Sequence, residues 1–107
     1  MEPLLVLTNL PDAASAEILA KALVESRAAA CVNVLAPCRS IYRWQGRLET
    51  AAEVPLLIKT SVANYPLVEQ IVRSQHPYDV PELIAIPITH SLPAYLDWLA
   101  TETDLHE

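Results

Sequence analysis

The residues of this sequence best suited to hold a metal ion are a histidine, a glutamate and a cysteine, namely His76, Glu82 and Cys31. Imidazole nitrogen suits copper and zinc, and thiolate selects Cu(I) and zinc. His76 and Glu82 lie in a segment that Pro77 and Pro81 stiffen, so little conformational entropy remains to be lost on binding. We therefore predict metal ligation by His76, Glu82 and Cys31.

Each of these residues also has a structural interpretation. A single histidine without spaced partners is a weak metal signal, and His76 would equally cap the end of a helix. Glu82 would otherwise pair with Lys59, because buried carboxylates are usually partnered. Cys31 lies among alanine and valine, where a cysteine is usually a small buried apolar group. Cys38 is expected near a strand bend, exposed, and a soft-metal ligand only adventitiously.

A second candidate site is built from aromatic residues. Tyr42 and Trp44 stand two apart on a predicted strand, so both side chains lie on one face of it. With Tyr78 they are expected to line a cleft between subunits that would take a small molecule. The alternative is packing at a subunit interface, where aromatic residues concentrate.

Lys59 closes an apolar run, a position at which lysine is costly to bury unless it is paired. It is expected either to meet Glu53 or Glu82 across subunits or to accept an anionic ligand. Glu53 therefore joins the residues expected at the cleft or interface.

Charge and glycine content argue against several functions. Seven basic residues against thirteen acidic ones give a net charge of −6, the wrong sign for a nucleic-acid partner. The only glycine, Gly46, cannot build a phosphate-cradling loop, so no nucleotide cofactor is expected. No nucleophile, base and orienting residue stand together at motif spacing, and His90 and His106 are expected on the solvent side. We therefore predict that the protein is not an enzyme.

Hydropathy and cysteine usage favour the cytoplasm. Apolar residues make up 52% of the chain, and no run approaches the roughly twenty residues of a membrane span, so no membrane partner is expected. The first ten residues lack a basic leader and a cleavage site, which favours a strand over a signal peptide. Cys31 and Cys38 stand seven apart on one predicted extended segment and should point to opposite faces, so no disulfide is expected.

The hydrophobic pattern predicts a single domain over residues 1–107. Helices are predicted from Pro11 to about Arg27, over Asn64–Ser74, and from Ser91 or Pro93 onward, with 101–107 as an acidic tail. Strands are predicted at Leu4–Leu7, Ala30–Leu35, Ser40–Leu48, Val54–Thr60 and Leu83–Ile88, with a reversal at Gln45-Gly46. The side chains expected to face inward are Ile18, Leu19, Ala22 and Leu23, then Leu67, Val68, Ile71 and Val72, and finally Leu92, Tyr95, Leu96 and Leu99.

The element order predicts an α+β fold, a ferredoxin-like βαββαβ sandwich with an added C-terminal helix. Its two main helices cover one face of the sheet. The strands Leu4–Leu7, Val54–Ile58 and Leu83–Ile88 are nevertheless almost continuously apolar, as in strands that are buried on both faces. Self-association is therefore expected, although the pattern does not choose between two and three subunits.

Several motifs together resemble the CutA family, the divalent-cation tolerance proteins, along almost the whole chain. They are Ala29-Ala30-Cys31-Val32-Asn33, Ser40-Ile41-Tyr42 with Trp44, Glu53 with Lys59-Thr60, His76-Pro77-Tyr78 with Pro81-Glu82, and Tyr95 with Trp98. The sequence departs from the family pattern at Ser91, where glycine is frequent, and Cys38 falls in a variable stretch.

The resemblance implies a homotrimer whose long bent hairpin joins edge strands between subunits. It also implies binding of divalent cations such as Cu(II) and a role in cation tolerance and homeostasis. Two other functions stay open, since a shared fold does not determine one function. These are a small-molecule-binding or signalling trimer that uses the inter-subunit cleft, and a structural scaffold that binds metal incidentally.

Overall fold

A computed structural model describes residues 1–105 as five strands and three helices. The strands are β1 (Pro3–Leu10), β2 (Cys31–Val34), β3 (Cys38–Trp44), β4 (Arg47–Ser61) and β5 (Ile84–Pro87). The helices are α1 (Ala13–Glu25), α2 (Tyr65–Gln75) and α3 (Pro93–Glu102). His106 lies outside the described residues, so its solvent position stays a prediction.

The strands pair in the order β2-β4-β1-β5, with every neighbour antiparallel, while β3 pairs with the first part of β4. Helix α1 leads from β1 to β2, and β4 lies between those two strands. Helix α2 leads from β4 to β5, and β1 lies between them. This is the predicted split βαβ arrangement, and the α+β class is confirmed.

Strand β4 is much longer than the predicted Val54–Thr60, because it runs for 15 residues. Its first part pairs with β3 and its later part with β2. Pro37 lies between β2 and β3 and offers no N–H to a ladder, so the predicted single extended segment is two strands. The predicted reversal is confirmed, since Gln45 and Gly46 both have positive φ, 50° and 78°, as a two-residue hairpin turn requires.

Helix α1 begins at a side-chain cap, and its buried face matches the predicted one at Leu19 and Leu23. The Asp12 carboxylate accepts a hydrogen bond from the Ser15 N–H at 2.7 Å, which satisfies one free donor of the first turn. The buried positions are Ala16, Leu19, Ala20 and Leu23, spaced i, i+3, i+4, i+7. The inward placement of Ile18 was wrong, because its side chain is 64% exposed.

Helix α2 agrees with its prediction within one residue at each end. Val68 and Val72 are buried, and Leu67 and Ile71 pack against the core from its margin. The exposed side carries an ion pair between Glu69 and Arg73 at 4.0 Å, one turn apart.

The hydrophobic core lies between these two helices and one face of the sheet. Its members from the strands include Leu4, Val6, Leu10, Leu56 and Ile58. Burial alternates along β1, and all of β5 is exposed, so within one chain only one sheet face is fully buried. This agrees with the expectation that the helices of one chain cover a single face, and burial of the second face by self-association stays a prediction.

Helix α3 packs more loosely than predicted. Only Leu99 is buried in it, whereas Leu92 and Tyr95, expected to face inward, are exposed. The predicted tail was placed too early, because α3 continues to Glu102. Thr103 is buried and donates from its hydroxyl to the Leu99 carbonyl at 2.8 Å.

None of the helices within residues 1–105 is both long and apolar enough to cross a membrane.

Candidate functional site

A cavity of about 600 Å³ opens between the β3–β4 hairpin and the loop that follows α2. The residues that line it are Asn9, Ser40, Ile41, Tyr42, Trp44, Glu53, Tyr78, Asp79, Val80 and Glu82. We call this cavity the hairpin cleft. Some of the residues predicted for a functional site are brought together in this cleft, namely Tyr42, Trp44, Glu53, Tyr78 and Glu82.

Glu53 and Tyr78 are joined to each other in the lining of the hairpin cleft. The Tyr78 hydroxyl donates to a Glu53 carboxylate oxygen at 3.0 Å. Burial, together with this hydrogen bond and the negative charge of Glu53, raises the pKa of Tyr78 to about 12. Glu53 is only 9% exposed, and within residues 1–105 it forms no ion pair with a lysine, arginine or histidine. A buried carboxylate therefore faces the cavity with a neutral partner.

His76 lies directly behind the hairpin cleft and is 8% exposed. Its Nε2 donates to the Asn9 carbonyl at 2.7 Å, and its Nδ1 accepts from the Tyr78 N–H at 3.1 Å. The tautomer is assigned from these two partners. The backbone N–H of His76 also closes the last turn of α2 on the Val72 carbonyl at 2.8 Å. The predicted helix-end cap is therefore present, and metal ligation by this ring would displace one of its hydrogen bonds.

Glu82 is exposed at the rim of the hairpin cleft, where the Asn9 side-chain amide donates to its carboxylate at 3.3 Å. Asn9 thus contacts both His76 and Glu82, one through its backbone carbonyl and the other through its side chain. Asn9 therefore links the two predicted metal ligands of this loop.

Cys31 and Lys59 lie away from the hairpin cleft. They face each other across the β2–β4 ladder, with Nζ 3.9 Å from Sγ. Glu53 is six residues back along β4, which corresponds to about 20 Å of strand. Among residues 1–105, Lys59 forms no ion pair with Glu53 or Glu82. The pairing across subunits stays a prediction.

Both cysteines are free, as predicted, but for a different reason. In the strand register Cys31 lies opposite Lys59 and Cys38 lies opposite Glu53. Because Lys59 and Glu53 are far apart along β4, the two cysteines are far apart as well. Cys38 is exposed as predicted, and Cys31 is half-buried.

Asn9, Asp79 and Val80 line the cleft but were not singled out by the sequence. Two features of the sequence could have indicated them. Asn9 is a polar residue near the end of an apolar strand, and Asp79 lies within the proline-bounded loop. Asp79, Glu53 and Glu82 make the lining acidic. Within residues 1–105, no three histidine, cysteine, aspartate or glutamate residues are grouped closely enough to hold a metal ion.

The chain is similar to proteins of one family over nearly all of its length. The family model described as CutA1 divalent ion tolerance protein matches residues 4–102, which include every cleft residue. The divalent-cation tolerance protein CutA of Thermus thermophilus is 46% identical over 98 residues, which are 92% of this chain and 95% of that protein.

Solved structures of such proteins have the same fold. The divalent cation tolerance protein from Thermus thermophilus aligns with a TM-score of 0.93 at 44% identity, over 95% of this chain and 99% of that one. A periplasmic divalent cation tolerance protein CutA from Archaeoglobus fulgidus aligns with a TM-score of 0.92 at 34% identity, over 97% and 100%.

Proposed function

The chain belongs to the CutA1 divalent ion tolerance family, and on that basis we propose that it is a homotrimer that binds divalent cations, copper among them, in clefts between subunits. In this proposal the protein acts in cation tolerance as a binding protein and catalyses no reaction.

The observation that carries the proposal is the buried carboxylate of Glu53. Charged side chains are seldom buried without a partner of opposite charge, because desolvation disfavours the bare ion. Among residues 1–105, the neutral Tyr78 hydroxyl is the sole hydrogen-bond partner of the Glu53 carboxylate. Asp79 and Glu82 add two further negative charges to the lining. A cation in the hairpin cleft would compensate these charges.

The proposed ligands follow from the positions of the side chains. Glu53 and Glu82 would supply oxygen, and His76 would supply nitrogen only if it gave up a hydrogen bond. Cys31 lies on β2 opposite Lys59, about 20 Å along the sheet from Glu53, so it would reach the same ion only from a neighbouring subunit. A second subunit at the hairpin cleft is therefore part of the proposal.

Apolar surface supports self-association. Ile41 and Leu48 are exposed on the hairpin, and Ile84 and Ile86 are exposed on the edge strand β5. Large exposed apolar areas of this kind usually mark contacts with another chain, and cyclic symmetry is the usual result in homo-oligomers. The number three rests on the family resemblance.

A cytoplasmic location is proposed from the two cysteines, which form no disulfide. Fractionation of the producing cell would test this location against the periplasmic one named for the relative from Archaeoglobus fulgidus.

Calorimetric titration of Cu(II) and Zn(II) tests the binding proposal. Removing the charge of Glu53 with Glu53→Gln should weaken binding by about tenfold or more, because one charged ligand is lost. Glu17→Gln, the same change on the exposed side of α1, serves as the matched control and should leave binding unchanged. Equal affinities for wild type and Glu53→Gln would show that the cation does not bind in the hairpin cleft.

A further inference from the structure

We infer that the hairpin cleft is a binding site for an organic ammonium ion of metabolite size, held by carboxylates and by the faces of aromatic rings. The inference rests on the proposed function in one respect, since both place a cation in this cleft. It differs in the class of ligand, which is a small organic molecule and not a bare metal ion.

The charge of the cleft selects a positive ligand. Its lining includes Glu53, Asp79 and Glu82, and among the described residues that line it there is no lysine or arginine. Glu53 is more than nine-tenths buried, and the Tyr78 hydroxyl leaves its negative charge uncompensated. An ammonium group would pair with this carboxylate and gain a charge-assisted hydrogen bond.

The aromatic residues select an organic cation. Tyr42 and Trp44 stand two apart on β3 and both line the cleft, and Tyr78 lines it from the loop after α2. Metal ions are held by oxygen, nitrogen and sulfur donors, to which an indole face adds little. An ammonium group is attracted by the faces of tryptophan and tyrosine within about 6 Å of the ring centre. Three aromatic residues beside a buried carboxylate therefore match an organic ammonium ion.

The size of the cleft agrees with a small molecule. Within one chain its volume of about 600 Å³ lies in the range of sites for small ligands, roughly 300–1,000 Å³. A metal ion with its ligands would fill only a fraction of that space. The remaining volume, walled by Ile41, Val80 and the aromatic rings, suits the carbon skeleton of an organic ligand.

One aromatic residue of the cleft is held in place before any ligand arrives. Tyr78 is tied through its hydroxyl to Glu53 and through its backbone N–H to His76, and its ring lies 4.9 Å from the imidazole, centre to centre. A ring that is already positioned loses little conformational entropy on binding.

Fluorescence of Trp44 provides the test. The chain has two tryptophans, so Trp98→Phe leaves Trp44 as the sole reporter. Choline is the probe, and the neutral alcohol with carbon in place of its nitrogen is the matched control ligand. We expect a saturable change with choline, and about tenfold weaker binding both for the neutral alcohol and for Glu53→Gln, since each removes one charge of the pair.

Calorimetry of choline with the wild-type chain gives a second readout that depends on no substitution. If Glu53→Gln does not fold, Glu82→Gln at the exposed rim takes its place. Equal binding of choline and its neutral analogue, or no binding of either, overturns the inference. Cu(II) titrated in parallel separates the two proposals. Copper binding without choline binding refutes only the organic ligand, and choline binding without copper binding refutes only the metal site.

Discussion

The backbone N–H of Tyr78 donates to Nδ1 of His76, two residues before it, at a distance of 3.1 Å. The other ring nitrogen of His76 donates to the Asn9 carbonyl of β1. One imidazole therefore joins the loop of the hairpin cleft to the central sheet. His76, which the sequence suggests as a metal ligand, therefore holds the loop that forms one wall of the cleft in position.

Replacing His76 with alanine should destabilise the fold. The change leaves the Tyr78 N–H and the Asn9 carbonyl without their partners and opens a void behind the cleft, at a cost of about 3 kcal/mol in the free energy of unfolding. Urea denaturation at fixed protein concentration measures it. His90→Ala, at an exposed position, is the control and should change little. Unfolding of both variants at the same urea concentration would contradict the positioning role of His76.

The Glu53→Gln substitution should lower the pKa of Tyr78 from about 12 without returning it to 10. The charge and the carboxylate acceptor disappear, but burial, the largest cause of the shift, stays. Ultraviolet titration of the phenolate band measures this pKa, with Tyr78→Phe used to assign the transition. An unchanged titration would show that Glu53 does not act on Tyr78.

The raised pKa of Tyr78 also predicts how stability depends on pH. A phenol with a higher pKa in the folded state stabilises the fold fully below its unfolded pKa of about 10, and this contribution is lost as the pH rises towards 12. Wild type should therefore lose more stability than Tyr78→Phe over this interval. Urea midpoints measured between these two pH values test the prediction. Parallel losses in the two proteins would contradict it.

Asp12→Ala should destabilise α1, because the Ser15 N–H loses its acceptor. Hydrogen bonds from Ser15 lower the pKa of Asp12, so its contribution is present above the unfolded pKa and lost as the pH falls through the folded one. Asp12→Asn keeps an acceptor without the charge and should remove only the pH-dependent part. Urea midpoints for the three proteins at neutral and acid pH check this. Identical pH profiles for wild type and Asp12→Asn would contradict it.

Ile41→Asp should disrupt the proposed trimer, because a charge would enter an apolar contact. The chain offers a closely matched control, since Ile41 on the hairpin and Ile18 on α1 are both 64% exposed. Sedimentation velocity of the two variants should show smaller species for Ile41→Asp and the wild-type species for Ile18→Asp. If both behave as wild type, the hairpin does not take part in assembly.

The family resemblance was recognised from the motifs alone and is confirmed over residues 4–102. The sequence also predicts the individual helices, strands and turns, because helical spacing, turn residues and apolar runs act over short distances along the chain. Helix α2 and the turn at Gln45-Gly46 are where the pattern predicts them. The face of α1 was predicted only in part, because Leu19 and Leu23 are buried as expected and Ile18 is not. Ile18 and Ala20 both fit an apolar stripe, and only packing against the sheet chooses between them.

By itself the sequence determined the α+β class and the helices and suggested candidate ligand residues, because each depends on residue type and short spacing. Only the tertiary structure decided which of these residues meet. Asn9 and Glu82 are 73 residues apart and touch because β1 lies between β4 and β5. The register of β2 places Cys31 opposite Lys59, near the C-terminal end of β4. Strand order and register arise from burial summed over the whole sheet, which no short motif records.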